Sequence, residues 1–126
     1  MKAWIPLTLV FALGTAVQAQ AASCTYPHSP DAPPDGNTAT KEQMVAANHD
    51  VSRYNTEMNT YIDCLKTEIE AATPKDPSKL SPEDKQKADE QQKVLVQKNN
   101  AAVDELQAVV GRFNEQLRIY KARPKS

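Results

Sequence analysis

The stretch 73-TPKDPSKLSPED-84 separates two long segments that have the apolar spacing of α-helices. Pro74 disfavours the helical conformation at the residue before it and so predicts the end of a first helix. Ser81 and Pro82 predict the start of a second helix, because serine caps a first turn and proline fits its first position. Two long helices joined by a short connection fold back on each other. The stretch therefore predicts an all-α fold, an antiparallel two-helix hairpin.

The segment before this break predicts one helix over about 40–72. Thr40 is its expected N-cap, since Gln43 three residues later can complete a capping box. Apolar side chains then recur at steps of three and four, at Met44, Ala47, Val51, Tyr54, Met58, Tyr61, Leu65 and Ile69. This spacing places all of them on one face, as in a heptad seam. We expect that face to pack against the second helix.

The segment after the break predicts a longer helix over about 82–121. Its seam positions are Ala88, Gln92, Leu95, Asn99, Ala102, Leu106, Val109, Phe113, Gln116 or Leu117, and Tyr120. Both helices rise by the same distance per residue, so counting back from a turn centred near Pro77 places Met44 opposite about Val110. The end of the second helix should therefore overhang the first, and its last apolar residues should lie on that overhang: Phe113, Leu117 and Tyr120.

Residues 23–39 precede the hairpin and are rich in proline, at positions 27, 30, 33 and 34. Proline has no N–H to donate and a fixed φ, so the segment is predicted to be neither helix nor central strand. We expect an extended N-terminal arm, near polyproline II. Asp35-Gly36 is a turn signal that ends its extended part.

The first 22 residues have the pattern of a secretory signal peptide. Lys2 is followed by an uncharged apolar run, and Ala19-Gln20-Ala21 provides the small residues that signal peptidase recognises. The apolar run is shorter than the ~20 residues that span a bilayer. Cleavage predicts a periplasmic or secreted chain; the alternative is a retained N-terminal anchor helix. The chain then divides into signal peptide (1–22), arm (23–39), hairpin domain (40–122) and basic tail (123–126).

Cys24 and Cys64 are the two cysteines of the chain. Export favours a disulfide between them, since oxidising compartments preserve such bonds. The reach is sufficient, because the helix rises about 36 Å from residue 40 to Cys64 and the arm spans at most about 50 Å. Lipidation of Cys24 is a second interpretation, although Ala21 stands where a lipobox favours leucine. An intermolecular bridge or a free thiol is the third.

Composition argues against several classes of function. The chain has 15 basic and 16 acidic side chains, whereas a nucleic-acid binder needs a basic face. The two histidines, His28 and His49, have no second ligand at helical spacing, so we expect no metal and no cofactor. A long hairpin also lacks the concave site that acid–base catalysis uses. We therefore expect no catalytic residues and no enzymatic activity.

The C-terminal end of the second helix combines basic and apolar side chains. Basic residues there also complement the helix dipole, which is the simpler interpretation. The alternative is a surface that binds a second copy, another envelope protein or an anionic surface. The candidate interaction residues are Phe113, Leu117, Tyr120, Arg112, Arg118 and Lys121. Membrane contact is expected only if the basic tail docks to such a surface or Cys24 is lipidated.

Residues 34–70, PDGNTATKEQMVAANHDVSRYNTEMNTYIDCLKTEIE, resemble a group of small exported helical proteins of Gram-negative bacteria. The resemblance extends over 27–70: a proline-rich start, a PDG turn, a helix with a Met-Val-x-Ala pattern, and an ending of the form Tyr-x-x-Cys-Leu. Gln43 stands where that group has an acid. The resemblance implies a location in the cell envelope and brings no activity with it.

These observations favour a non-enzymatic structural or protein-interaction module of the envelope. The first alternative is a periplasmic chaperone-like or inhibitory protein that holds its clients between the helix tips. The second is a lipoprotein tether anchored through Cys24.

Overall fold

The computed structural model describes residues 24–124. Two α-helices, α1 (Lys41–Ala72) and α2 (Pro82–Ala122), are joined by a linker that contains a short 3-10 helix, Pro77–Lys79. No strand occurs in this part of the chain. The all-α, two-helix prediction is therefore confirmed, with helix limits within one residue of those expected. The 3-10 helix was not predicted. The expected signal peptide, 1–22, lies outside the described residues.

The start of each helix is determined by local hydrogen bonds. At α1, the Gln43 N–H donates to Thr40 Oγ1 at 3.1 Å and the Thr40 N–H donates to Gln43 Oε1 at 2.8 Å. At α2, the Asp84 N–H donates to Ser81 Oγ at 3.1 Å, and Pro82 occupies the first turn. These bonds satisfy N–H groups that have no partner inside the helix. The predicted caps are confirmed.

The two helices pack side by side in antiparallel directions. Near the linker, Gln92 Nε2 donates to Thr73 Oγ1 at 2.9 Å, and at the opposite end Met44 packs with Phe113. Every seam position expected for α1 and α2 is buried or half-buried. The main core contains Tyr54, Met58, Tyr61, Ile62, Leu65, Leu95, Ala102 and Val109.

The core is asymmetric in the size of its side chains. The largest fully buried side chains, Tyr54, Met58 and Leu65, all belong to α1. The central residue that α2 contributes is Ala102, which is only 1% exposed. The other buried residues of α2 are the larger Leu95, Val109 and Phe113, so the space that α2 leaves beside α1 lies near Ala102. Residues from the N-terminal segment pack there.

We call residues 24–34 the proline segment and residues 35–39 the anchoring turn. The proline segment has neither helix nor strand. It begins at Cys24, whose sulfur is bonded to that of Cys64 with a Cα–Cα distance of 5.7 Å. It ends at the anchoring turn, which lies against α2 close to residues 116–120. The segment therefore runs along α1 from its C-terminal half back to its beginning.

The anchoring turn covers the end of α2 that was expected to overhang. Ala39, Met44 and Phe113 form a second buried cluster, and Leu117 and Tyr120 pack against it. Met44 thus lies beside Phe113 and not opposite about Val110. Phe113 is 3% exposed. The expectation that Phe113 lies on the overhang is wrong, because Phe113 packs against Met44 of α1 as well as Ala39 of the anchoring turn.

Gly36 makes the close approach of this turn possible. A Cβ added at Gly36 would lie 2.8 Å from Ile119 Cβ and 2.9 Å from Tyr120 N, distances that real Cβ atoms do not show. The Gly36 N–H also donates to Gln116 Oε1 at 2.7 Å. Gly111, in contrast, lies on the exposed side of α2, and a Cβ there would meet nothing within 4 Å.

Gly36→Ala should therefore lower the free energy of unfolding by about 1–3 kcal/mol, because the turn must move away from α2. The matched control, Gly111→Ala, should raise it by about 0.5–1 kcal/mol, since alanine is the better residue in an exposed helix interior. Urea unfolding followed by circular dichroism at 222 nm measures both. Equal effects of the two substitutions would contradict the packing described for Gly36.

Candidate functional site

The disulfide connects the proline segment to the C-terminal half of α1. Cys24 and Cys64 are both half-buried, and Cys24 packs against the main core. The predicted pairing is confirmed. The Glu68 carboxylate and the two sulfurs lie within 4.8 Å of one another. Such a group resembles a metal-ligand set, but sulfurs that are bonded to each other cannot act as the thiolates that a metal requires.

Three tyrosines meet beside the disulfide; we call Tyr26, Tyr54 and Tyr61 the tyrosine cluster. The rings of Tyr26 and Tyr61 lie edge to face, with centroids 5.1 Å apart and planes at 76°. This is a favourable arrangement for aromatic rings. Tyr54 and Tyr61 are buried, whereas Tyr26 is 51% exposed. Tyr26 thus acts as a partly exposed cover over the two tyrosines of α1.

The hydroxyl of Tyr54 is in an unusual position. It is buried and has no hydrogen-bond partner of good geometry among the described residues. Burial raises the pKa of this hydroxyl well above its ordinary value, the neighbouring Tyr26 hydroxyl and the charge of Glu105 raise it further, and the Ser29 side chain partly opposes the shift. Burial likewise raises the pKa of Tyr61. The site therefore favours neutral phenols, and ionisation of Tyr54 would oppose folding.

The candidate interaction residues at the end of α2 do not form one exposed surface. Phe113 is buried in the core of the chain itself, and Leu117 and Tyr120 are half-buried under the anchoring turn. The basic residues Arg112, Arg118 and Lys121 are exposed. What faces solvent at this end is therefore mainly charge, with only the edges of two apolar side chains.

The exposed arginines of this end are paired with acids of α2. Arg118 forms a bidentate pair with Glu115, with its closest N–O distance at 2.7 Å. Arg112 lies 3.6 Å from Glu105. Such exposed pairs contribute little to stability, and they remain accessible to a partner.

Arg123 has a role that the sequence reasoning missed, since it placed this residue in the basic tail. Its guanidinium donates to the Asn37 carbonyl at 3.1 Å and to the Ala39 carbonyl at 2.9 Å. It also lies over the Tyr120 ring, 4.4 Å from the centroid. Arg123 thus fastens the anchoring turn to α2. The sequence did contain a signal for this contact. Arg123 directly follows the predicted end of α2, and the predicted turn at Asp35-Gly36 has carbonyl groups that need hydrogen-bond donors.

Three carboxylates have pKa values that local hydrogen bonds lower, and this direction does not suit a proton donor at neutral pH. Hydrogen bonds from Asn37 hold the pKa of Asp35 below its ordinary value, and Ser78 and Arg118 do the same for Asp76 and Glu115. A general acid at neutral pH needs the opposite shift. These carboxylates instead accept hydrogen bonds that close two turns and one ion pair.

Comparisons with models of protein families, with curated proteins and with solved structures find no match for this chain. Within residues 24–124, neither helix has the length and apolar character that crossing a membrane requires.

Replacing Tyr54 with phenylalanine tests the buried hydroxyl. At pH 7 the variant should equal the wild type in stability or exceed it by about 1 kcal/mol, because a buried group without a partner is removed. A raised folded pKa means stability that is complete below the unfolded pKa of about 10 and declines as pH rises above it. Above about pH 10, the Tyr54 hydroxyl should therefore lower the free energy of unfolding of the wild type by up to about 1.4 kcal/mol per pH unit. The variant lacks this hydroxyl and should not show that loss.

Urea unfolding between about pH 8 and pH 11 measures this difference. Because all other ionisable groups are shared, the difference between the two profiles isolates Tyr54. Parallel profiles for wild type and Tyr54→Phe would contradict the assignment of a buried, neutral phenol.

Proposed function

We propose that this chain is an exported, non-enzymatic helical-hairpin protein of the cell envelope that acts as a structural or protein-interaction module. The observation that carries the proposal is the Cys24–Cys64 disulfide, which indicates an oxidising compartment. The signal-peptide pattern of residues 1–22 supports export independently of the structure. Periplasmic or secreted location is therefore part of the proposal.

An extended arm over the hairpin is also part of this proposal. It is supported by the positions of its ends, the disulfide at Cys24 and the hydrogen bond from the Gly36 N–H to Gln116. Four prolines between these ends favour extended backbone. An arm of this kind stabilises and shapes a surface and contributes no reactive group.

The disulfide argues against the lipoprotein alternative. A lipid anchor would be attached through the sulfur of Cys24, and that sulfur is already bonded to Cys64. The chaperone-like alternative also lacks a specific support. Among residues 24–124, the exposed large apolar side chains are Tyr26, Val45, Val94 and Val96. They do not gather into the single broad patch that client binding uses.

The proposed partner surface is the charged end of α2, around Arg112, Arg118 and Lys121. A sequence of five basic residues against one acid from Gly111 to Ser126 gives this end a positive character. Charge of one sign steers an oppositely charged partner and fixes its orientation. We therefore expect the partner to be an envelope protein with an acidic surface, and self-association is the weaker possibility because Phe113 is buried.

Intact mass of the protein purified from its native envelope tests location and anchoring together. The expected result is a chain that begins near Ala22 and gains two alkyl groups only after reduction. Alkylation without reduction is the matched control and should add none. A chain that begins at Cys24, carries the mass of a diacylglycerol and has one free thiol would overturn the proposal in favour of a tether.

Light scattering coupled to size exclusion tests the oligomeric state. We expect a monomer at micromolar concentration, since the apolar edges at the end of α2 are too small for a stable dimer interface. A dimer that Lys121→Glu dissociates and the distant Lys75→Glu leaves intact would instead establish self-association through this end.

A further inference from the structure

The two ends of the N-terminal segment are attached in different ways. In the anchoring turn, the Asp35 carbonyl accepts hydrogen bonds from the N–H groups of Thr38 and Ala39 at 3.1 and 2.8 Å. Gly36 and Arg123 add hydrogen bonds between the turn and α2. By contrast, no main-chain atom of residues 24–34 makes a hydrogen bond to another described residue.

The composition of the proline segment explains this contrast. Its prolines, at positions 27, 30, 33 and 34, have no N–H to donate. The remaining N–H groups of the segment donate to no other described residue. The main chain of this segment therefore does not hold it to the hairpin, and what remains is the disulfide and side-chain contacts, including those of Tyr26 and Ser29 near the Tyr54 hydroxyl.

The side-chain packing of the proline segment is open at its edges. Its aromatic contact is the single pair Tyr26–Tyr61, and Tyr26 is 51% exposed. A groove of about 380 Å³ opens beside Tyr26, Pro27 and Glu57. A second groove, of about 240 Å³, separates the segment from α1 near Ala47 and Val51. Solvent reaches both sides of the segment, so its noncovalent attachment is weak.

An aromatic face lies directly beneath this weakly attached segment. Tyr54 and Met58 are 0% exposed and Tyr61 is 8% exposed. The cover above them begins at Cys24, which is half-buried and packs against the main core. The disulfide between two half-buried cysteines thus holds a cover in place over a buried apolar surface.

We propose that Cys24–Cys64 is a redox latch: its reduction releases residues 24–34 from α1 and uncovers the tyrosine cluster, while the anchoring turn and the hairpin remain folded. The proposal concerns a conformational change and does not depend on the proposed envelope function. It assigns the disulfide a regulatory consequence in addition to its stabilising one.

The chemistry requires a dithiol reductant, such as a thiol–disulfide oxidoreductase. One thiolate of the reductant attacks a sulfur of the latch and displaces the other as a thiolate, which takes up a proton. The second thiol of the reductant then attacks the mixed disulfide. Two electrons and two protons pass to the protein, Cys24 and Cys64 become thiols, and the reductant becomes a disulfide.

NMR relaxation of the ¹⁵N-labelled protein tests the latch residue by residue, with and without dithiothreitol. In the oxidised protein, Thr25, Tyr26, Ser29 and Ala32 should have the order parameters of rigid backbone, about 0.85. After reduction they should fall below about 0.6, while residues 37–39 and both helices keep their values. The ring-to-ring nuclear Overhauser effect between Tyr26 and Tyr61 should disappear at the same time.

The double variant Cys24→Ser/Cys64→Ser is the matched control. It should have the low order parameters without reductant and should not respond to dithiothreitol. Reduced wild type or double variant in which residues 25–32 stay rigid would overturn the proposal, because packing alone would then hold the segment. Loss of helical circular dichroism at 222 nm on reduction would also overturn it, because the disulfide would then hold the hairpin itself.

Discussion

The covalent closure of a loop between Cys24 and Cys64, 40 positions apart, is the constraint that holds the N-terminal cover of this structure over the hairpin. A hairpin of two helices buries one face of each helix and leaves the rest in water, so its core is small. In the chain-entropy model a loop of this length contributes about 4 kcal/mol to stability. That is a large share of the roughly 5–15 kcal/mol by which domains are stable.

The disulfide and the anchoring turn both hold N-terminal residues against core side chains that the two helices do not cover by themselves. α1 brings Tyr54, Met58 and Leu65 to the seam, whereas α2 brings the small Ala102 between its larger buried residues Leu95 and Val109. The proline segment adds cover at the wide part of this seam, and the turn closes its end over Phe113. A third layer without secondary structure thus replaces the third helix that many small bundles use.

Helix limits, caps and seam residues were predictable from the sequence because their signals are local. The Thr40–Gln43 box and the Ser81-Pro82 start need only neighbouring residues. The burial of Phe113 and the role of Arg123 were not predictable in this way. They depend on hydrogen bonds that span 80 to 86 positions, between the anchoring turn and the end of α2. Periodicity locates a buried face, but it does not say which distant segment covers it.

The composition of the proline segment links the fold of this protein to its chemical surroundings. Four prolines among its eleven residues keep this segment out of a ladder or a helix, so side-chain packing or a covalent bond must hold it against the hairpin. Packing is limited here, since Tyr26 stays half-exposed and open grooves flank the segment. The covalent bond persists only where the surroundings are oxidising. The cover over the tyrosine cluster is therefore complete because of the compartment as well as the sequence, and the redox potential of that compartment becomes one of the forces that determine the folded structure.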